Sequence, residues 1–63
     1  MIVEGYRYGA NFNEAPRVIA KHTNISLSDA IKLCNQLKDG TIVILPDDFV
    51  LREDLTDLKF IIK

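Results

Sequence analysis

The sequence predicts an α+β domain with the element order β-α-α-β-α-β, a three-stranded antiparallel sheet covered on one face by helices. Three observations predict it. Thr23 to Cys34 reads as the end of one helix, a two-residue junction and the capped start of a second helix. Runs of strand-forming residues lie at both ends of the chain and again after Gly40. The chain has only 63 residues, which makes residues 1–63 one small domain. A sheet this small must bury one face against a helical layer.

The first strand is read over Met1 to about Gly9. Ile2, Val3, Tyr6 and Tyr8 favour extended backbone, and Gly5 marks a bend. Asn11-Phe12-Asn13 follows as a loop. Asn13 is expected to cap the first helix, with Glu14 in its first turn and Pro16 early enough to cost no hydrogen bond. Ala15, Val18, Ile19 and His22 fall at i, i+3, i+4 and i+7 and share its inner face. The helix is expected to stop at Asn24, in the left-handed conformation that asparagine tolerates. On that reading Asn24→Gly is neutral and Asn24→Val is costly.

Ser26 caps the second helix, with Asp29 three residues on, and Ile25 and Ala30 are placed to form a weak hydrophobic staple. Leu27, Ala30, Ile31, Cys34 and Leu37 make a stripe expected to be buried, widened by Leu33. Truncating Leu33 to alanine is expected to cost about 2–5 kcal/mol. Gly40 ends the helix, with Lys38 in its last turn. Thr41 to Leu45 is β-branched without polar alternation, the pattern of a strand buried on both faces or of a central strand. After Pro46, Asp47 or Asp48 caps a short third helix reaching about Leu55 and anchored by Phe49, Leu51 and Leu55. Lys59-Phe60-Ile61-Ile62-Lys63 is the last strand, with charged ends that discourage edge pairing.

Composition excludes several classes. A fraction of 48% apolar and 27% charged residues is globular. The net charge of −1 gives no long-range attraction to nucleic acid or an anionic membrane. The longest wholly apolar run, Ile42 to Leu45, is far short of the roughly 20 residues that span a bilayer. Cys34 is the lone cysteine, so no intramolecular disulfide forms, and a reducing, cytoplasmic location is expected.

The run Thr23-Asn24-Ile25-Ser26-Leu27, then Ser28-Asp29-Ala30-Ile31 and Leu33-Cys34, resembles the C-terminal domain of the bacterial ribosomal stalk protein. That family joins its first two helices at a Thr-Gly-Leu-Gly-Leu junction, followed by a Lys-Glu-Ala-Lys-type helix start and a Leu-Val pair. The resemblance covers about residues 18–40 by motif and the rest by element order. It implies the same fold and a protein-binding surface on the first two helices, where basic residues of the family contact translation GTPases. Arg17 matches such a position, with Lys21 as its neighbour, whereas Ala20, Ser28 and Ile31 stand where basic groups are expected. The family's glycine at the junction is Asn24 here.

Reactive constellations are absent. His22 and Cys34 lack a third ligand for zinc and an orienting carboxylate for a nucleophile. They read as a half-buried helix-end histidine and a core cysteine. Asp47, Asp48, Glu53, Asp54 and Asp57 crowd the C-terminal third without a calcium-loop pattern, which suits capping and solvation. Gly5-Tyr6-Arg7-Tyr8-Gly9 is similar in composition to a single-strand nucleic-acid stacking platform.

The expectation is therefore a non-enzymatic interaction module without a cofactor or bound metal. It binds a protein partner, a translation GTPase or another cytosolic enzyme, near Arg17, Lys21, Asn24 and Ser28. Two other readings stand beside it. One is a stand-alone phage-type regulator inhibiting a host enzyme, which the short length suits. The other is a single-stranded nucleic-acid binder using Tyr6, Arg7 and Tyr8, which the charge disfavours.

Overall fold

The computed structural model describes residues 1–63. The elements run β1 (Ile2–Tyr6), α1 (Ala15–His22), α2 (Leu27–Lys38), β2 (Val43–Ile44), α3 (Phe49–Asp57) and β3 (Phe60–Ile62). The three strands form one antiparallel sheet in the order β2-β1-β3. Ile2 pairs with Ile44 and Val3 with Val43 on one side, while Val3 pairs with Ile62 and Tyr6 with Phe60 on the other. The register slips between Val3 and Gly5, so the bend expected at Gly5 is a β-bulge in the central strand. That strand ends at Tyr6 rather than Gly9, and the chain turns at Gly9 with φ +83.

One face of the sheet packs on the helices. Val3, Val43 and Phe60 point into the core with Ala15, Ile19, Ala30, Cys34, Leu37, Leu45, Leu51 and Leu55. The other face leaves Ile2 and Ile44 in solvent. α1 touches both α2 and α3, and α2 and α3 do not touch each other. The helical layer is therefore ordered α2-α1-α3, with α1 in the middle.

Local chemistry sets the element ends. Asn11, not Asn13, opens α1: its Oδ1 accepts from the backbone N–H groups of Asn13 and Glu14 at 3.2 and 3.0 Å. This Asx arrangement acts two residues earlier than the expected cap and leaves Glu14 at the cap position with no side-chain bond. Ser26 caps α2 as expected, accepting from the Asp29 N–H at 3.2 Å. Gly40, at φ +89, closes α2 in a Schellman motif, in which Thr41 N–H donates to the Gln36 carbonyl and Gly40 N–H to that of Leu37. Asp48 caps α3 by accepting from Leu51 N–H at 2.9 Å.

Four expectations are corrected. α1 stops at His22, and Asn24 does not take a left-handed conformation, because Lys59 is the one non-glycine residue at positive φ. Instead Thr23 is extended, its hydroxyl donates to the Ile19 carbonyl at 2.7 Å, and it accepts from Ile25 N–H at 3.0 Å. β2 is a two-residue edge strand, not a central one, with Val43 and Leu45 inward and Ile42 and Ile44 outward. Leu27 and Ile31 leave the buried stripe of α2, being 49% and 46% exposed. Phe49 does not anchor α3, since it is 72% exposed while Leu51 and Leu55 fill the core.

Candidate groove at the seam of the first two helices

An aromatic chain builds one end of the site. Phe60 on β3 meets Phe12 edge-on with ring centroids 5.1 Å apart, and Phe12 meets Tyr6 the same way at 4.8 Å. Both geometries place the positive edge of one ring against the negative face of the next. The Lys38 ammonium sits 4.9 Å from the centre of the Phe12 ring, a favourable cation–π distance. The Tyr6 hydroxyl reaches the Lys38 carbonyl at 3.3 Å. The Asn11–Asn13 loop is thereby fixed against the C-terminal turn of α2.

From Phe12 a groove of about 350 Å³ runs along the α1–α2 seam. Pro16 and the outward pair Leu27 and Ile31 give it apolar walls, and Cys34 lies in its floor. Arg17 and Lys38 stand on its rim beside the amides of Asn13 and Asn35, and no acidic residue lines it. Cys34 is 3% exposed, and burial raises its thiol pKa above the ordinary value of 9.0, partly offset by the Lys38 charge. The thiol is therefore a neutral, apolar part of the floor at neutral pH.

The residues expected to form the site are divided. Arg17 belongs to this groove. Lys21 and Asn24 border a second hollow with His22, Thr23, Ile25 and Pro46. That hollow is larger, about 550 Å³, and more open, with Ile25 as its one aliphatic side chain apart from Pro46. The first hollow instead brings four apolar side chains, Phe12, Leu27, Ile31 and Cys34, to one cleft with a few polar groups at its rim, the usual make-up of a small binding cleft. Ser28 is exposed on the first turn of α2 and borders neither hollow.

The groove-forming Phe12, Leu27, Ile31 and Lys38 escaped the sequence reading, although one signal was present. The apolar residues of α2 cover an arc of roughly 160° at 100° per residue, from Leu33 to Ile31, wider than the ~100° stripe that one packed face requires. The surplus edge, Leu27 and Ile31, is the edge that faces out.

The remaining candidates have ordinary partners. His22 Nε2 pairs with Asp54 Oδ2 at 3.1 Å, tying α1 to α3. That supplies the orienting carboxylate missing from the sequence reading, yet the adjacent Thr23 hydroxyl is already committed to the Ile19 carbonyl. Asp47 faces Arg52 at 3.6 Å. No group of three or more His, Cys, Asp or Glu side chains is placed to hold a metal ion. No helix is long and apolar enough to cross a membrane. Tyr6 is engaged by Phe12, whereas Tyr8 projects wholly into solvent. No protein-family model matches the chain, and neither curated proteins nor solved structures yield a similar one.

Proposed function

We propose that this chain is a small protein-interaction module that binds a protein partner through the groove between α1 and α2. The observation that carries the reading is the apolar pair Leu27 and Ile31, half in solvent beside Phe12 and Pro16, with Arg17 and Lys38 on the rim. An exposed apolar pair costs solubility unless something covers it, and clustered exposed apolar surface with a polar border is typical of binding sites. The basic rim selects a segment that is apolar at its centre and acidic at its flanks. The resemblance to the ribosomal stalk C-terminal domain supports a translation GTPase as the partner class, with Arg17 as the shared basic contact. Lys21, Asn24 and Ser28 then lie outside the apolar centre and add at most a peripheral contact.

The nucleic-acid reading is weaker on these residues. Stacking platforms present several free aromatic faces, and here Tyr6 is occupied by Phe12, leaving Tyr8 alone with Arg7.

Affinity capture with matched variants tests the proposal. Ile31→Glu puts a charge in the groove, and Ile44→Glu puts one on the bare sheet face. Both positions are exposed, and a thermal melt of each variant verifies the fold. The expected result is a protein partner retained by the wild type and by Ile44→Glu and lost with Ile31→Glu. A partner lost with Ile44→Glu and kept with Ile31→Glu rejects the groove.

A further inference from the structure

The chain carries a surface complementary to its own groove. At the start of α3, Phe49 is 72% exposed and Val50 is 50% exposed. Asp47, Asp48 and Glu53 flank this ridge, with Arg52 as the one cation among them. An exposed aromatic next to an exposed β-branched residue, bordered by net negative charge, is the counterpart of an apolar trough bordered by Arg17 and Lys38. Shape and charge therefore match in sign at both centre and rim.

We propose that the Phe49–Val50 ridge of one molecule seats in the α1–α2 groove of a second copy. This rests on the groove being a docking site, as argued above, and names an occupant that the chain itself supplies. The contact cannot close within one molecule. α1 separates α2 from α3, and Leu51 and Leu55 hold α3 in the core. The pairing is heterologous: each molecule offers a ridge at one end and a groove at the other, so it propagates into short oligomers unless the rotation closes a ring.

The contact is also small. Stable interfaces take roughly 800 Å² from each partner, and this molecule exposes 4151 Å² in all. One aromatic, one valine and a few charges cover much less than that share, so the association is weak and readily displaced. A partner carrying an acidic, apolar segment competes for the same groove. Self-association then sets a threshold that partner binding must exceed, and the fraction of grooves left free falls as the protein concentration rises.

Sedimentation equilibrium of the full chain tests this with two variants and their mixture. Phe49→Ser removes the ridge. Arg17→Glu combined with Ile31→Glu removes the groove. All three positions are exposed, and a thermal melt of each variant verifies the fold. The expected wild-type mass climbs above 7.2 kDa with concentration and falls back as salt is added. Each variant alone stays at the monomer mass, with association weakened by about tenfold or more. Mixed together, the two variants form a dimer and nothing larger, because one intact ridge and one intact groove remain between them. A wild type that stays monomeric to about 1 mM, where even a Kd of about 1 mM would put roughly half of the chains into oligomers, overturns the proposal. So does association surviving in either variant, or a mixture that stays monomeric. Partner capture by Phe49→Ser reads the groove separately. If that variant still captures the partner while the wild type proves monomeric, only the self-docking fails.

Discussion

Thr23 performs at the α1–α2 junction the task that a left-handed residue performs at many helix ends. Its hydroxyl joins the last turn of α1, at the Ile19 carbonyl, to the Ile25 backbone N–H within the junction. Removing the hydroxyl while keeping the shape, as Thr23→Val does, leaves both groups without that partner. The expected cost is about 1–2 kcal/mol by urea denaturation, with Thr23→Ser close to wild type. Asn24→Val should cost little, because Asn24 has no positive φ to defend. Ser26 and Asp48 were legible as caps because a cap is a contact across three residues. Asn11 was misplaced to Asn13 because both asparagines offer the same oxygen, and only the path of the loop decides between them. Cys34 gives a pH prediction. Its folded pKa lies above the unfolded one, so its contribution to stability is complete below about 9 and is lost as pH rises through the raised value. Urea midpoints of the wild type should therefore decline more steeply above about pH 9 than those of Cys34→Ala, which has no thiol to ionise. Parallel slopes would mean that the thiol ionises as freely in the fold as out of it.

At the scale of elements, period and length were legible while burial on each face was not. Thr41 to Leu45 has no polar alternation, so the sequence alone could not separate a central strand from an edge strand with one bare face. β1 took the centre because it is the strand with neighbours available on both sides, β2 and β3. In α2 the apolar arc and its buried members Ala30, Cys34 and Leu37 were visible, but where the burial stops, short of Leu27 and Ile31, was not. Leu33 is half-buried. Leu33→Ala should accordingly cost about 1–2 kcal/mol, less than a full core deletion. Leu51→Ala, at a side chain with no exposure, should cost about 2–5 kcal/mol, and thermal melts of the pair check the order. The α3–β3 turn hinges on Lys59 at φ +73, held by its carbonyl accepting from Arg7 N–H at 2.8 Å. Nothing in a Leu-Lys-Phe sequence signals that conformation. Lys59→Gly should be neutral or stabilising by up to about 1 kcal/mol, whereas Lys59→Val should lose about 1–3 kcal/mol.

For the whole molecule, the order β-α-α-β-α-β was legible because each helix and turn carries its own local signal and a short chain leaves few ways to pack them. The candidate groove was legible only in part. Arg17, named through its match to a basic position of the stalk family, lies on the rim of the candidate groove, and the apolar walls were missed because exposure depends on which elements become neighbours. α2 lies at the edge of the helical layer, beside α1 alone, so the Leu27–Ile31 edge of its stripe has nothing to cover it. The same layer order separates the groove from the Phe49 ridge and makes their meeting an event between molecules. We propose engagement of partners along the α1–α2 seam. Photo-crosslinking from a benzophenone side chain placed at position 31, compared with one placed at position 44, tests it most directly. Partner adducts are expected from position 31 and none from position 44, with the adducts suppressed when Arg17 is changed to Glu. Adducts from position 44 alone would place the partner on the bare sheet face and contradict it.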